Sequence, residues 1–425
     1  MHRLFRLDLT QAEHRNAWYL VIEIFWASML SAAATFNAAY AIRLGATNTQ
    51  ISLLTSVPAL IAVLVSIPAG RFLARRAKRK PWLMWALWLH RSGFLLVALV
   101  PWLPAGWISH GMLLVVILVV ISAPAHFFNV GWIPLLSEVV PEDMRASVIS
   151  ARNIFYNVVL SASGLLFGFW LERVAFPVNY QALYLFGFLC SVLSMFYLAK
   201  IDVPDSPITP AGAPAGKSLK KRWKAFVQSF TQHPGFMRIT VNTLLHGLGV
   251  WLALPLYVLY FVRELGANEG WLGINGTVSS LATIAGFALW RWVIQRRGEH
   301  NILQLTIVCV GLYPVAVGLL NSLPLILIAT LVNGLLVPGV NLSHFNTLLK
   351  VTPEQDRPGY TAIYITLANI GAFVCPLVGV ALAGVFGLKP TLIFCGLLSI
   401  LGSTSFWLWP VFSQPKTRME AIRSE

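Results

Sequence analysis

Residues 129–145 read NVGWIPLLSEVVPEDMR, and residues 341–357 read NLSHFNTLLKVTPEQDR. Asn129, Leu136, Val139, Pro141, Glu142 and Arg145 recur as Asn341, Leu348, Val351, Pro353, Glu354 and Arg357, and Asn157 recurs as Asn369, each 212 positions on. A second echo, at an offset of 221, carries Leu44, Gly45 and Ala46 onto Leu265, Gly266 and Ala267, and Arg75 and Arg76 onto Arg296 and Arg297. The change of offset needs only one shorter loop in the second copy, so two halves share one plan.

Around these stretches the chain is 57% hydrophobic and only 11% charged, against roughly 25% charge in a soluble domain. A helix crosses hydrocarbon with about 20 mainly apolar residues. Twelve such stretches are present: 17–41, 50–70, 82–103, 109–137, 147–171, 181–199, 236–262, 270–290, 301–320, 325–349, 360–384 and 390–412. Only helices or closed barrels satisfy their backbones in lipid, and unbroken apolar runs exclude the short alternating strands of a barrel. The fold class is therefore an all-α polytopic membrane protein of two pseudo-symmetric six-helix bundles. The first apolar run is too long for the core of a cleavable signal and is expected to stay as span 1. Cys190, Cys309, Cys375 and Cys395 all fall within spans, where cysteine serves as a small buried hydrophobe.

A net charge of +15 would point to nucleic acid in a soluble protein. Here it is a topology signal. With the N-terminus inside, inner segments hold 24 of the 31 Lys and Arg, and outer loops hold four, Arg43, Arg173, Arg263 and Lys389. That imbalance places both termini in the cytoplasm, with the protein in a bacterial inner (plasma) membrane.

Residues 1–199 form the first bundle, 200–235 a cytoplasmic linker, and 236–425 the second bundle with a short tail. The linker opens with Pro204, Pro207, Pro210, Gly212, Pro214 and Gly216. Over 217–230, Leu219, Trp223, Phe226, Val227 and Phe230 then share one side of a helix while Lys220, Lys221 and Lys224 point elsewhere. Such a helix lies on the anionic lipid of the inner leaflet or recruits a partner.

Between spans 2 and 3 the chain reads Gly70, Arg71, Phe72, Leu73, Ala74, Arg75, Arg76, Ala77, Lys78, Arg79, Lys80. Six spans, a basic linker, six related spans and this loop resemble the major facilitator superfamily over nearly the whole chain. That family places Gly-x-x-x-Asp-Arg-x-Gly-x-Arg-Arg/Lys here; Gly70, Arg75, Arg79 and Lys80 match, while Ala74 stands for its acid and Ala77 for its second glycine. The resemblance implies secondary transport by alternating access and a cytoplasmic gate at this loop. Ala74 cannot form the family's latch, and the repeated Pro-Glu-x-x-Arg elements offer Glu142, Arg145, Glu354 and Arg357 as substitutes; all of these residues serve the gate or merely cap helices and set topology. The family's drug antiporters carry a Gly-Pro motif on span 5, and Ser161 to Phe169 has glycines without proline.

The resemblance also implies a central cavity walled by spans 1, 4, 7 and 10. At about 100° per residue, Asn16, Tyr19, Glu23, Ala27, Leu30, Ala34 and Asn37 share one side of span 1, opposite Val21, Phe25, Met29 and Phe36. Span 7 has a similar stripe with Arg238, Asn242, His246, Gly249, Ala253 and Tyr260. Spans 4 and 10 add Asn129, Asn341 and His344. Tyr19, Asn37, Asn129, Asn242, His246, Asn341 and His344 are thus the candidate substrate-cavity residues. Trp132, Trp251 and Tyr257 are candidates for an aromatic pocket.

Among sixteen Asp and Glu residues, Glu23 alone sits deep in a span. An ionised group there costs at least about 3 kcal/mol, so it needs a partner, a wet cavity or a proton. Glu23 either carries the coupling proton or forms a structural pair with Arg91 of span 3. Arg152 and Arg238 lie near inner span ends, where they are expected to snorkel. Asn153, Asn157, Ser161, Gly164 and Gly168 form a narrow ridge on span 5 suited to close helix packing. The histidines show no metal-site spacing, and neither a catalytic constellation nor a phosphate-cradling loop is present. No cofactor, metal or nucleic acid is expected. The reading is a monomeric secondary transporter, not an enzyme, that takes a small-molecule substrate and protons. Its rival is a non-transporting membrane receptor or assembly factor of the same fold.

Overall fold

The computed structural model describes residues 10–104, 106, 108–203, 232–353 and 357–411. The candidate interfacial helix at 217–230 and the tail after 411 lie outside the described residues.

Twelve helices long and apolar enough to span a membrane run Ala12–Arg43, Asn48–Ala74, Lys80–Trp102, His110–Val139, Ser147–Arg173, Val178–Ala199, Pro234–Glu264, Glu269–Arg297, Glu299–Leu319, Leu323–Val351, Gly359–Phe386 and Leu388–Leu408. We number them spans 1 to 12. The hydropathy reading found every one. Its boundaries stopped short where polar first and last turns continue the helix, as at Gln295 to Arg297 of span 8.

In the first half span 1 packs on spans 5 and 6, span 4 on spans 2 and 3, and span 3 on span 6. Adding six to each number gives the packing of the second half, and the pairs that join the halves, 5 with 8 and 2 with 11, exchange under the same operation. The sequence repeat is therefore a pseudo-twofold axis in three dimensions. Equivalent residues behave alike: Gly45 and Gly266 both adopt positive φ, 82° and 65°, to turn the chain between spans 1 and 2 and between 7 and 8. Asn157 and Asn369 each donate to the carbonyl four residues back at 2.8 Å.

The molecule has a basic end, bearing residues 10–15, 71–80 and 296–298, and an opposite, far end bearing the turns at Gly45 and Gly266. At the far end one buried apolar cluster runs through both halves, from Tyr40, Phe94 and Leu114 to Leu256, Phe261 and Leu392. At the basic end the core splits into two, around Leu20, Leu83 and Val139 in the first half and around Phe236, Leu303 and Phe406 in the second. Among the described residues the halves share a core only at the far end.

There the small-residue ridge of span 5 meets span 8. A Cβ on Gly168 would stand 2.7 Å from the Glu269 carbonyl, and one on Gly273 2.7 Å from the Gly164 carbonyl, so backbones touch directly. Gly168→Ala is expected to lower the melting temperature in detergent, at a cost of about 1–3 kcal/mol for overpacking. Gly276→Ala, whose added methyl would meet nothing within 4 Å, is the control and should leave it unchanged. Equal melting of the two variants would show that the contact does not hold the halves.

Candidate functional site

Glu269 is the first residue of span 8 and only 4% exposed. Arg43, ending span 1, grips it with a two-point fork, Nε to Oε1 at 2.7 Å and Nη2 to Oε2 at 2.9 Å. Tyr180 of span 6 donates its hydroxyl to the same Oε1 at 3.1 Å. The mate of this contact runs the other way. Arg263, near the end of span 7, donates to Asn48 Oδ1 at 2.6 Å and to the Ala46 carbonyl. Asn48 opens span 2 as Glu269 opens span 8, and the two are 221 positions apart. Asn268 donates to Glu172 at 2.7 Å, and Thr277 to the Ser161 carbonyl at 2.9 Å. The hydrogen bonds that join described residues of the two halves all lie in this far-end clasp.

Beneath the clasp, between spans 1 and 5 of one half and spans 7 and 8 of the other, is a cavity of about 280 Å³. Its wall mixes Phe36, Leu160 and Tyr257 with Thr35, Asn275 and Thr277. Span 1 is interrupted beside it, between helices Ala12–Ala34 and Asn37–Arg43, so Thr35 and Phe36 project from a break. Asn275 accepts a hydrogen bond from Thr330 at 2.8 Å, and Thr330 in turn meets the Tyr313 hydroxyl at 3.1 Å. The wall has no charged side chain. It suits an uncharged, partly apolar body with hydroxyl or amide groups.

Besides Glu269, the buried charged side chains Glu23, Arg91 and Arg152 lie nearer the basic end, inside the first half. Glu23, 4% exposed, accepts from Arg152 Nη1 at Oε2 (2.9 Å) and from Ser194 Oγ (2.7 Å) and Arg91 Nη2 (3.4 Å) at Oε1. Arg91 also donates to the Ser191 carbonyl at 2.7 Å and to Ser194 Oγ at 2.9 Å. Arg152 also donates to the Leu20 carbonyl, and its guanidinium carbon sits 4.7 Å from the centroid of the Trp132 ring. Arg152 was expected to snorkel. Instead it turns inward, because a carboxylate, a carbonyl and an aromatic face answer its charge there. Spans 1, 3, 4, 5 and 6 are thereby tied through one cluster.

Tyr19 and Asn37, expected on the cavity wall, turn to span 6: Asn37 accepts from the Tyr184 hydroxyl at 2.7 Å, and the Tyr19 and Tyr197 ring centroids are 6.2 Å apart. Asn242 and His246 face span 12. Asn242 donates to the Trp409 carbonyl at 3.0 Å, and His246 Nδ1 lies 2.9 and 3.0 Å from the hydroxyls of Ser403 and Ser399. Helical phase identified the polar sides correctly, but those sides pack within each half. His344 lies beside Thr243, Nε2 to Oγ1 at 2.8 Å, and 3.4 Å from the Tyr364 hydroxyl. Asn129 and Asn341 are both exposed, at equivalent places on spans 4 and 10. Of the aromatic candidates, Tyr257 lines the cavity, Trp251 fills the space over Gly247 and Gly371, and Trp132 lies under Arg152.

The candidate gate is brought together only in part. Arg79 donates to Glu138 at 2.9 Å and to the Leu73 carbonyl at 3.2 Å, and Lys80 donates to the carbonyls of Ala199 and Ile201, both at 2.6 Å. Arg145 donates to the Ser137 carbonyl at 2.9 Å, with the exposed Glu142 at 4.0 Å. Arg75 is exposed and Gly70 packs near Val130. These contacts bind spans 2, 3, 4 and 6 of the first half to each other. Glu354 and the side chain of Arg357 lie outside the described residues. Sequence reasoning missed Glu269, Glu138 and Ser194; the 221-residue offset that pairs Glu269 with Asn48 was the available signal for the first.

The family model of the Major Facilitator Superfamily matches residues 20–235 and 239–423. A protein named as a candidate sugar efflux transporter of Deinococcus radiodurans is 22% identical over 386 residues, covering 89% of this chain and 93% of that protein. Among solved structures, a mutant of the nucleoside transporter NupG superposes with a TM-score of 0.67 at 12% identity, covering 94% of this chain and 100% of that one. A bacterial homologue of the human lysosomal transporter Spinster, inward-facing and unoccupied, gives 0.64 at 13% identity, covering 94% and 97%.

Removing Glu23 would leave two guanidiniums unanswered at membrane depth, whereas removing Arg91 leaves Glu23 held by Arg152 and Ser194. Glu23→Ala is therefore expected to lose about 3–5 kcal/mol, visible as a large fall in melting temperature, and Arg91→Met distinctly less. The reverse ranking would show that the carboxylate is not what holds the cluster together.

Proposed function

The chain belongs to the major facilitator superfamily, and from that premise we propose that it is a secondary transporter moving a small organic solute by alternating access. The observation that carries this reading is the one-sidedness of the contact between its halves. At the far end the halves share a buried core and the clasp of Glu269, Arg43, Arg263 and Asn48. At the basic end each half has its own core, and the polar contacts between described residues close within it. That is the arrangement of one end-state, open toward the basic end, of a pair of bodies that rock about a central cavity. The candidate sugar efflux transporter that the chain matches in sequence, the nucleoside transporter that it resembles in fold, and the mixed lining of the cavity support an organic solute of similar size.

The basic end faces the cytoplasm in this reading, with both termini there, because 24 of the 31 Lys and Arg fall in the sequence segments assigned to the inner side. Glu23 carries the coupling proton. It is the acid deepest in a span, and its partners Arg91 and Arg152 reward its ionised form while Ser194 can bond either form. Any proton taken up there must displace an arginine contact, which links protonation to rearrangement of spans 1, 3, 5 and 6.

Two measurements test the scheme. Glu269→Ala should release the far end, so that a single cysteine placed at Thr35 on the cavity wall, in a protein freed of its native cysteines, reacts with an impermeant maleimide added outside cells. An unchanged reaction would exclude the clasp as a gate, and a non-transporting receptor would show no such opening. Glu23→Gln keeps shape and hydrogen bonding while fixing the neutral state, so counterflow of solute should survive and gradient-driven accumulation should fail. Undiminished accumulation would remove Glu23 from coupling.

A further inference from the structure

Two of the side chains that wall the cavity beneath the clasp are joined through two that stand behind the wall. Asn275 of span 8 accepts at Oδ1 from the Thr330 hydroxyl of span 10 at 2.8 Å, and Thr330 Oγ1 lies 3.1 Å from the Tyr313 hydroxyl of span 9. A hydroxyl has one hydrogen to give. That of Thr330 is spent on Asn275, so Tyr313 donates to Thr330. The Tyr313 ring in turn lies 5.2 Å, centroid to centroid, from the ring of Tyr257, which lines the cavity. This relay fixes the Asn275 amide. Its oxygen is held toward span 10, and its nitrogen, which has no hydrogen-bond partner among the described residues, is left to the cavity.

Thr35 and Thr277 are of the opposite character. Thr35 gives its hydrogen to the Ala32 carbonyl at 2.7 Å, and Thr277 shares its own between the carbonyls of Ser161 and Gly273, both at 2.9 Å. These two wall hydroxyls therefore have only lone pairs to offer a guest, whereas Asn275 offers hydrogens. Between them the wall is apolar, with Phe36, Leu160 and Leu254. The frame does not call for the relay. The 221-residue offset carries Leu54 onto Asn275, the 212-residue offset carries Leu118 onto Thr330, and both leucines pack in the far-end core. A polar pair thus stands where the other half is served by leucines, and one of its members opens on the cavity.

We infer that the transported solute is an uncharged amide or lactam on a compact apolar body, with its carbonyl accepting from Asn275 Nδ2 and its N–H donating to a threonine hydroxyl of the wall. This rests on the transporter reading above and names the substrate class for it. Asn275 is the specificity residue, and Thr330, which touches Asn275 from behind, is a positioning residue. A carboxylate would bring its charge to a wall that holds no counter-charge, and an ammonium would turn hydrogens toward the hydrogens of Asn275; each loses its hydration without an answer. A bare sugar carries a hydroxyl on nearly every carbon, and Phe36, Leu160 and Leu254 can answer none of them, so burying it there leaves hydrogen bonds unmade. An amide needs one donor and one acceptor, and the wall supplies both.

The test uses the full-length protein in detergent and probes that share one ring and differ in their polar group, benzamide, benzyl alcohol, benzoate and benzylamine, together with glucose. The rise of melting temperature over a millimolar titration gives an apparent affinity for each. In the parent, benzamide should bind about tenfold more tightly than any of the others, the worth of one well-made hydrogen bond. Asn275→Leu should erase that preference, so that benzamide binds no better than benzyl alcohol. Thr330→Val keeps the shape but removes the hydroxyl that holds Asn275; it should weaken benzamide several-fold and leave benzyl alcohol unchanged, while Thr330→Ser should restore the parent ratio. A change of ratio, with rescue by serine, is something a general loss of fold would not produce. A parent that binds benzyl alcohol, benzoate or glucose as well as benzamide, or that answers to no probe, overturns the inference. So does a benzamide preference that survives in Asn275→Leu or, if that variant does not fold, in Thr330→Val. Failure here leaves the transporter reading standing, because that reading is judged by far-end accessibility in Glu269→Ala, which needs no ligand.

Discussion

Closure of the far end depends on a buried carboxylate being answered from the other half of the chain. In lipid, apolar surfaces gain little by leaving the solvent for each other, so helices associate through close packing and polar bonds. Glu269 and the glycines beside it supply both at one level of the membrane. Gly164, Gly168 and Gly273 bring the backbones of spans 5 and 8 into contact, and Arg43 and Tyr180 close over the carboxylate that begins span 8. Within each half, by contrast, polar groups are tied on several helices at once, as Glu23 is by spans 3, 5 and 6. Rich bonding inside the halves and sparse bonding between them makes two stiff bodies with one seam.

The scaffold obeys the pseudo-twofold axis and the chemistry departs from it. Helix packing, the glycine turns and Asn157 with Asn369 match across the halves. Charge does not: Glu269 stands where the first half has Asn48, and Arg152 where the second half has Tyr364. The departures sit at the seam and at the buried cluster. Duplicated architecture thus supplies a symmetric frame, and single substitutions on it make the two halves chemically unequal.

The fold was legible because its signals are local. Span length, apolarity and the distribution of Lys and Arg can each be read in one window of sequence, and all twelve spans were found. The site was less so, because its contacts join residues far apart: Ser194 is 171 positions from Glu23, and Glu269 is 226 from Arg43. Glu269 read as an ordinary loop-end acid, since nothing near it in sequence announces Arg43. Arg152 read as a snorkelling residue because only its depth along span 5 was visible, whereas its direction is set by Trp132 and Glu23 on other helices. Tyr19, Asn37, Asn242 and His246 were placed on polar faces, but a helix in a bundle has two directions that shelter polar groups, the central cavity and its neighbours in the same half. Helical phase cannot tell these apart.

Magnitudes separate the two buried carboxylates. Burying an ion pair costs desolvation comparable to the attraction it gains, so its net worth is small, whereas leaving one partner buried alone costs about 3–5 kcal/mol. At the far end Arg43 is already half in water, its side chain 52% exposed against 5% for Glu269, so separating the two strands neither charge. The larger cost of parting the far end is the apolar core that both halves share there, at about 25 cal/mol per Å² exposed to water. Glu23 and its arginines are in the opposite position, buried inside one half, where removing either partner would strand a charge. One buried carboxylate therefore joins the halves, and the other is held wholly within one of them.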